Sequence, residues 1–299
     1  MTDTPWRDGY WDSADGLKLH YRDYAGREAS GRDDRPALLC LPGLTRNARD
    51  FEPLAQAFAG DRRVLAVDFR GRGDSAYAKD TSTYVPATYV TDMLAFFEQV
   101  KPGPVVAVGT SLGGIIAVLL ANMAPQHFAG LVINDIGPVI EPEGLARIRE
   151  TVGQGRSYPT WMHAARALQE LSGDLYPDFQ ISDWLRLAKR SMVITNGGRI
   201  GLDYDMRIAE PFAAAGDQPA GDLWPAFKNL PPVPKLVLRG GLSDILSAAT
   251  LKAMPRAMGQ TQVLTVKRVG HVPTLEEPEV QAAISALLDK VLAQNSDGT

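Results

Sequence analysis

One serine, one histidine and a choice of two aspartates are spaced in this chain as a nucleophile and its helpers would be. The serine lies in Val108-Gly109-Thr110-Ser111-Leu112-Gly113-Gly114, which matches G-x-S-x-G. An apolar run precedes it and a helical pattern follows. A chain that turns this sharply from strand to helix holds Ser111 in a strained backbone conformation with its hydroxyl exposed. Gly109 and Gly113 have no Cβ, so the strand and the helix can approach closely. The helix N-terminus behind the serine presents unpaired N–H groups and a positive dipole end to a developing anion. A serine hydroxyl is a poor nucleophile without a base. Val269-Gly270-His271-Val272-Pro273 supplies one, in a loop after an apolar strand. The other histidines, His20, His127 and His163, read as surface or structural residues. The base needs an acid to orient it. Asp244, in Gly240-Gly241-Leu242-Ser243-Asp244, follows another apolar run and completes the chain order Ser, Asp, His. Asp135, in Asn134-Asp135-Ile136-Gly137, is the second candidate. It reads as a loop carboxylate that hydrogen-bonds its own turn.

The elements that must position these groups follow from the apolar pattern. Two segments near 10–12 and 17–24 flank Asp15-Gly16, a hairpin turn. Short apolar runs at 37–41, 64–67, 105–108 and 130–133 fit strands covered on both faces. Helical patterns at 89–100 and 112–124 lie between them, and this alternation predicts a mostly parallel α/β sheet flanked by helices. The rhythm breaks after Asp135-Ile136-Gly137-Pro138. Residues 139–228 show helical stretches (142–151, 160–171, 182–195 and 205–214) and many aromatics, with no convincing buried strand. Strand and helix patterns resume at 235–238 and 261–269, and a helix over 278–292 ends the pattern. The expected organisation is an α/β core of residues 1–138 and 229–299, interrupted by a helical cap over 139–228.

Composition narrows the function class. The 299 residues are 45% hydrophobic and 22% charged, which is globular composition. Lys+Arg number 31 against 35 Asp+Glu, a net charge of −4. A nucleic-acid or anionic-membrane binder needs a basic face, so neither partner is expected. Cys40 is the single cysteine, which excludes an intrachain disulfide and a thiolate-rich metal site. No two histidines have ligand spacing on one helix face, and neither a metal nor another cofactor is expected. Residues 1–10 are polar and lack the apolar region of a signal peptide. The longest apolar run, 115–121, is far short of a membrane span. A cytoplasmic protein acting on a small molecule is expected. The oligomeric state is not legible.

The segments Leu41-Pro42-Gly43-Leu44, Asp68-Phe69-Arg70-Gly71-Arg72-Gly73-Asp74-Ser75, 109–114, Ser243-Asp244 and Gly270-His271 together resemble the α/β-hydrolase fold family, in its serine esterase or lactonase form with a helical cap. The resemblance implies a Ser111–His271–Asp244 triad. It also implies an oxyanion hole made by the backbone N–H groups of Leu44 and Leu112. The family usually has His-Gly where this chain has Pro42-Gly43, so a side chain that normally braces the oxyanion loop is missing. A serine in the elbow, where haloalkane dehalogenases and epoxide hydrolases need an aspartate, argues against those chemistries. What remains is hydrolysis of an ester or lactone. Cleavage of a carbon–carbon bond in a ring-cleavage product and ligand reception on the same fold are the alternatives. Arg46, beside the oxyanion loop, and Trp161 and Trp184, in the aromatic-rich segment, are the candidate substrate contacts.

Overall fold

The computed structural model describes residues 6–25, 35–214 and 221–297. The remaining parts of the segments delimited above, residues 1–5 of the polar N-terminus among them, lie outside the described residues. The chain opens with a hairpin, β1 (Arg7–Asp12) and β2 (Lys18–Tyr24). It continues through β3 (Ala37–Leu41), α1 (Glu52–Phe58), β4 (Val64–Val67), α2 (Pro86–Val100), β5 (Val105–Thr110), α3 (Leu112–Met123) and β6 (Phe128–Asn134). The segment after β6 holds α4 (Pro142–Thr151), β7 (Ser157–Tyr158), α5 (Trp161–Ser172), α6 (Ile181–Ser191), β8 (Met192–Ile194), β9 (Ile200–Leu202), α7 (Ala209–Ala214) and α8 (Trp224–Lys228). The chain then returns through β10 (Lys235–Gly240), α9 (Ala248–Met258), β11 (Thr261–Val266) and α10 (Pro278–Asp297).

The eight-stranded sheet has the order β1-β2-β4-β3-β5-β6-β10-β11. From β4 to β11 the strands are parallel, and the opening hairpin adds the antiparallel edge. Every residue of β3, β4, β5 and β10 is buried, which explains the unbroken apolar runs. Alternate residues serve opposite faces. Leu39, Ala107, Leu131 and Val237 join one core with Met93, Phe96 and Ile116 of α2 and α3. Leu38, Val106, Val132 and Leu236 join the other with Leu54 of α1 and the stripe Val280, Ile284, Leu287, Val291 of α10. Among the described residues no helix is long and apolar enough to cross a membrane.

The segment between β6 and β10 is helical, as its pattern predicts, but it also holds a small antiparallel sheet in the order β7-β9-β8. These strands of two or three residues are too short to show a period of two. The helix expected over 182–195 stops at Ser191, and the apolar run Met192-Val193-Ile194 becomes β8.

Two charge clusters are each centred on a buried basic side chain. Arg70 is held by both oxygens of Asp92 (2.6 and 2.7 Å) and both of Asp15 (2.9 Å). His20 is fully buried, with Nδ1 2.7 Å from Asp68 and Nε2 3.0 Å from Asp8. Burial pulls the His20 pKa down, but the facing carboxylates outweigh it and hold it above the usual value.

Candidate active site

Ser111 lies between β5 and α3 with φ 50° and ψ −115°, the left-handed strain that a nucleophile elbow stores. The two glycines around it are sterically required. A Cβ on Gly109 would come within 2.4 Å of the Gly113 carbonyl oxygen, and one on Gly113 within 2.0 Å of the Leu41 carbonyl oxygen. The Ser111 N–H donates to the Asn134 carbonyl (2.9 Å), which ties the elbow to the end of β6.

Ser111 Oγ is 2.9 Å from His271 Nε2, and His271 Nδ1 is 2.8 Å from Asp135 Oδ2. An ionised carboxylate only accepts, so Nδ1 carries the proton toward Asp135 and Nε2 is left to accept from the serine hydroxyl. The structure therefore brings Ser111 and His271 together as expected and corrects the acid: the partner of His271 is Asp135, not Asp244. The reason lies in where each loop leaves the sheet. Asp135 is the first residue after β6, which lies beside β5, and its N–H is bound to the Leu238 carbonyl of β10 (2.9 Å). It is thus fixed at the carboxyl edge next to the elbow. It is fully buried, with φ 55°. Its carboxylate also accepts from the Gly240 N–H (2.8 Å) and the Ser243 hydroxyl (2.6 Å). Asp244 lies farther along the loop after β10 and faces α4, where Arg147 binds both its oxygens at 2.6 and 2.9 Å. Burial pushes the Asp244 carboxyl up, but Arg147 outweighs this and holds it below the ordinary carboxylate range.

The residues that carry the histidine loop were not legible in the sequence. The Tyr176 hydroxyl donates to the Val272 carbonyl (2.8 Å) and accepts from the Val272 N–H (2.9 Å). Burial pushes that phenol up to about 12. Asn134 Nδ2 donates to the Pro273 carbonyl (2.9 Å). The Ser243 hydroxyl had one available signal, since it stands in the segment that the resemblance already marked.

On the other side of the serine, a Cβ on Gly43 would lie 3.9 Å from Ser111 Cβ, so the loop after β3 runs directly past the nucleophile. Neither the Leu44 N–H nor the Leu112 N–H donates to a protein acceptor among the described residues. Pro42 offers no bracing side chain, but the loop is braced from elsewhere. Fully buried Arg72 donates from Nε to the Leu44 carbonyl (2.9 Å) and from Nη1 to the Arg70 carbonyl (2.7 Å) and the Tyr89 hydroxyl (2.9 Å).

A cavity of about 290 Å³ opens over Ser111 and His271. Leu44 and Arg46 line it beside the serine, and the helical segment contributes residues that include Leu168, Leu175, Tyr176, Leu187 and Tyr204. Arg46 is thus where a substrate contact was expected. Trp161 and Trp184 are not among the lining residues, which corrects that expectation. Trp184 is fully buried among Tyr176 and Phe179, and Trp161 packs against Ala164, Ala188 and Met192. Both form the interior of the helical segment itself, because the apolar stripe of each helix faces its neighbours there. His20, Asp68 and Asp74 come close enough together to surround a cation. Both His20 nitrogens already face carboxylates, those of Asp68 and Asp8.

Comparison with known proteins agrees with the fold described above. Residues 38–284 match the model of the alpha/beta hydrolase family. The chain is 33% identical over 255 residues to a 3-hydroxybutyrate-oligomer hydrolase of Cupriavidus necator, covering 83% of this chain and 86% of that protein. It is 28% identical over 258 residues to a 2-(acetamidomethylene)succinate hydrolase of Mesorhizobium japonicum, covering 85% and 88%. The crystal structure of an alpha/beta hydrolase from Novosphingobium aromaticivorans shares 55% identity and a TM-score of 0.90, over 97% of this chain and 99% of that one. With the family model matched over most of its length and these relatives covered nearly end to end, the chain belongs to the alpha/beta hydrolase family.

Proposed function

We propose that the protein hydrolyses a small-molecule ester or lactone through an acyl-enzyme, with Ser111 as nucleophile, His271 as base and Asp135 as the orienting acid. The observation that carries the reading is the hydrogen-bonded line from Ser111 Oγ to His271 to Asp135, at 2.9 and 2.8 Å, at the base of a mostly apolar cavity. Ser111 Oγ attacks the carbonyl carbon as its proton passes to His271 Nε2. The carbonyl oxygen gains the negative charge and takes hydrogen bonds from the Leu44 and Leu112 N–H groups. His271 returns the proton to the departing alkoxide as the carbon–oxygen bond breaks. Water then loses a proton to His271, attacks the acyl-enzyme and releases the acid, and Ser111 recovers its proton. Asp135 fixes the imidazole tautomer and stabilises the imidazolium in both steps.

The printed activity of one relative, hydrolysis of a 3-hydroxybutyrate oligomer, supports a substrate whose reacting bond is an ester. The test is covalent labelling by an uncharged fluorophosphonate, together with turnover of a panel of short esters and lactones. Labelling confined to Ser111 and turnover lost in Ser111→Ala are expected. Ester turnover in Ser111→Ala within tenfold of the parent sinks the reading. Turnover of a dienoate ketone in place of esters moves it to carbon–carbon bond hydrolysis by the same groups.

A further inference from the structure

The cavity wall carries three guanidinium groups, Arg46, Arg147 and Arg190, and one carboxylate, Asp50. Each arginine has an acidic partner: Asp50, Asp244 and Glu276 respectively. The partners are placed differently. Asp50 faces the cavity beside Arg46 and offsets its charge there. Asp244 and Glu276 are not among the cavity-lining residues, so Arg147 and Arg190 line the cavity without their carboxylate partners. Arg147 already spends Nε and Nη2 on Asp244 in a two-pronged pair. Arg190 spends only Nη1, on Glu276. Its side chain is 10% exposed, and neither Nε nor Nη2 meets a protein acceptor among the described residues.

A cation buried this deeply with open donors is costly until an acceptor arrives. A carboxylate matches the planar fork of a guanidinium and supplies the missing charge. Arg190 is carried by α6, next to Leu187 and Ser191, which line the same cavity. We infer that the cavity takes esters that also carry a free carboxylate, and that Arg190 anchors that carboxylate while Ser111 meets the ester carbonyl. This inference rests on the ester-hydrolase reading above and names its substrate class.

Binding with catalysis removed tests it. In Ser111→Ala, the dissociation constants of 3-acetoxybutanoate and its methyl ester are compared by calorimetry, as are those of monomethyl and dimethyl glutarate. These pairs place the carboxylate on the alcohol side and on the acyl side. The acid of at least one pair is expected to bind tighter than its neutral partner by about tenfold or more, the size of one charge-assisted hydrogen-bonded pair. Adding Arg190→Met should reduce that ratio to within about twofold, and Arg190→Lys should keep part of it. Neutral members that bind as tightly as the acids in both pairs overturn the inference, as does a preference that survives Arg190→Met. Where Arg190→Met fails to fold, Glu276→Gln decides. Removing the competing negative charge at Glu276 should raise the preference by about threefold, and an unchanged ratio overturns the inference. The ester-hydrolase reading fails separately, by absence of fluorophosphonate labelling at Ser111 in the parent.

Discussion

The loops after β6 and β10 each carry an aspartate to the same edge of the sheet, and the two end in different electrostatic settings. Asp135 is fully buried, and no permanent cation binds its side chain among the described residues: its partners are the Gly240 N–H, the Ser243 hydroxyl and the His271 ring. Asp244 is about a quarter exposed, and a permanent cation, Arg147, holds both its oxygens. A carboxylate that is to stabilise an imidazolium must be held rigidly without having its charge spent. Neutral donors do that, whereas an arginine fork fixes the carboxylate but neutralises it. The two settings are those expected of an acid that supports the proposed catalysis and of one that fastens a loop to the helical segment, although chain order alone fits both.

The largest effects test that division directly. Ser111→Ala sets the floor, with a loss of about 10⁴–10⁶ in kcat on a short ester. Asp135→Asn should lower kcat by about 10⁴, because the amide favours the wrong imidazole tautomer, while Asp244→Asn should stay within about threefold of the parent. Steady-state kinetics on variants shown to be folded by circular dichroism measure all three. The opposite ranking of the two aspartates breaks the comparison.

A smaller effect sharpens it. Ser243→Ala removes one neutral donor from Asp135 and leaves the Gly240 N–H and His271 in place. The expected loss is about tenfold in kcat, the lower end of what a hydrogen bond to a charged group contributes. Ser243 also accepts from the Ile245 and Leu246 N–H groups at 3.2 Å, so the variant tests loop order as well. Ser243→Thr keeps the hydroxyl and should recover most of the activity. A Ser243→Ala variant with the parent's kcat removes Ser243 from the support of Asp135.

Ser111 and His271 were legible because their surroundings are local. Two glycines flank the serine within one turn, and the histidine follows one at a strand end. The carboxylate that faces His271 was not, because its place depends on which strands are neighbours. β6 lies between β5 and β10, so the residue leaving β6 lands beside the elbow, and no pattern within either loop encodes that order. The brace from Arg72 to the Leu44 carbonyl crosses 28 positions of sequence and was invisible for the same reason. The sheet itself was plain from the runs of buried residues. In the helical segment, periodicity shows that α5 and α6 have apolar stripes but not which neighbour each stripe faces. Trp161 and Trp184 therefore read equally well as pocket and as interior.

The smallest prediction concerns stability and its sign. Asp244 has a folded-state pKa below its ordinary 3.8, where burial raises it and Arg147 more than reverses that. Below both values the aspartate is protonated in folded and unfolded chains alike, and the pair contributes nothing. Its contribution is present above the unfolded value and is lost as pH falls through the folded one. The Asp244 and Arg147 side chains are 25% and 36% exposed, so solvent screening keeps the pair to about 0.5–1 kcal/mol. Urea unfolding of the parent and of Asp244→Asn should therefore differ by that amount at about pH 5 and above. The difference should shrink as pH drops below about 4, and at about pH 7 added salt should reduce it. If Asp244 instead served the catalytic histidine, its replacement would lower kcat steeply at every pH where the enzyme works and leave this acid-limb difference small. A stability difference that grows on acidification would contradict the pairing with Arg147.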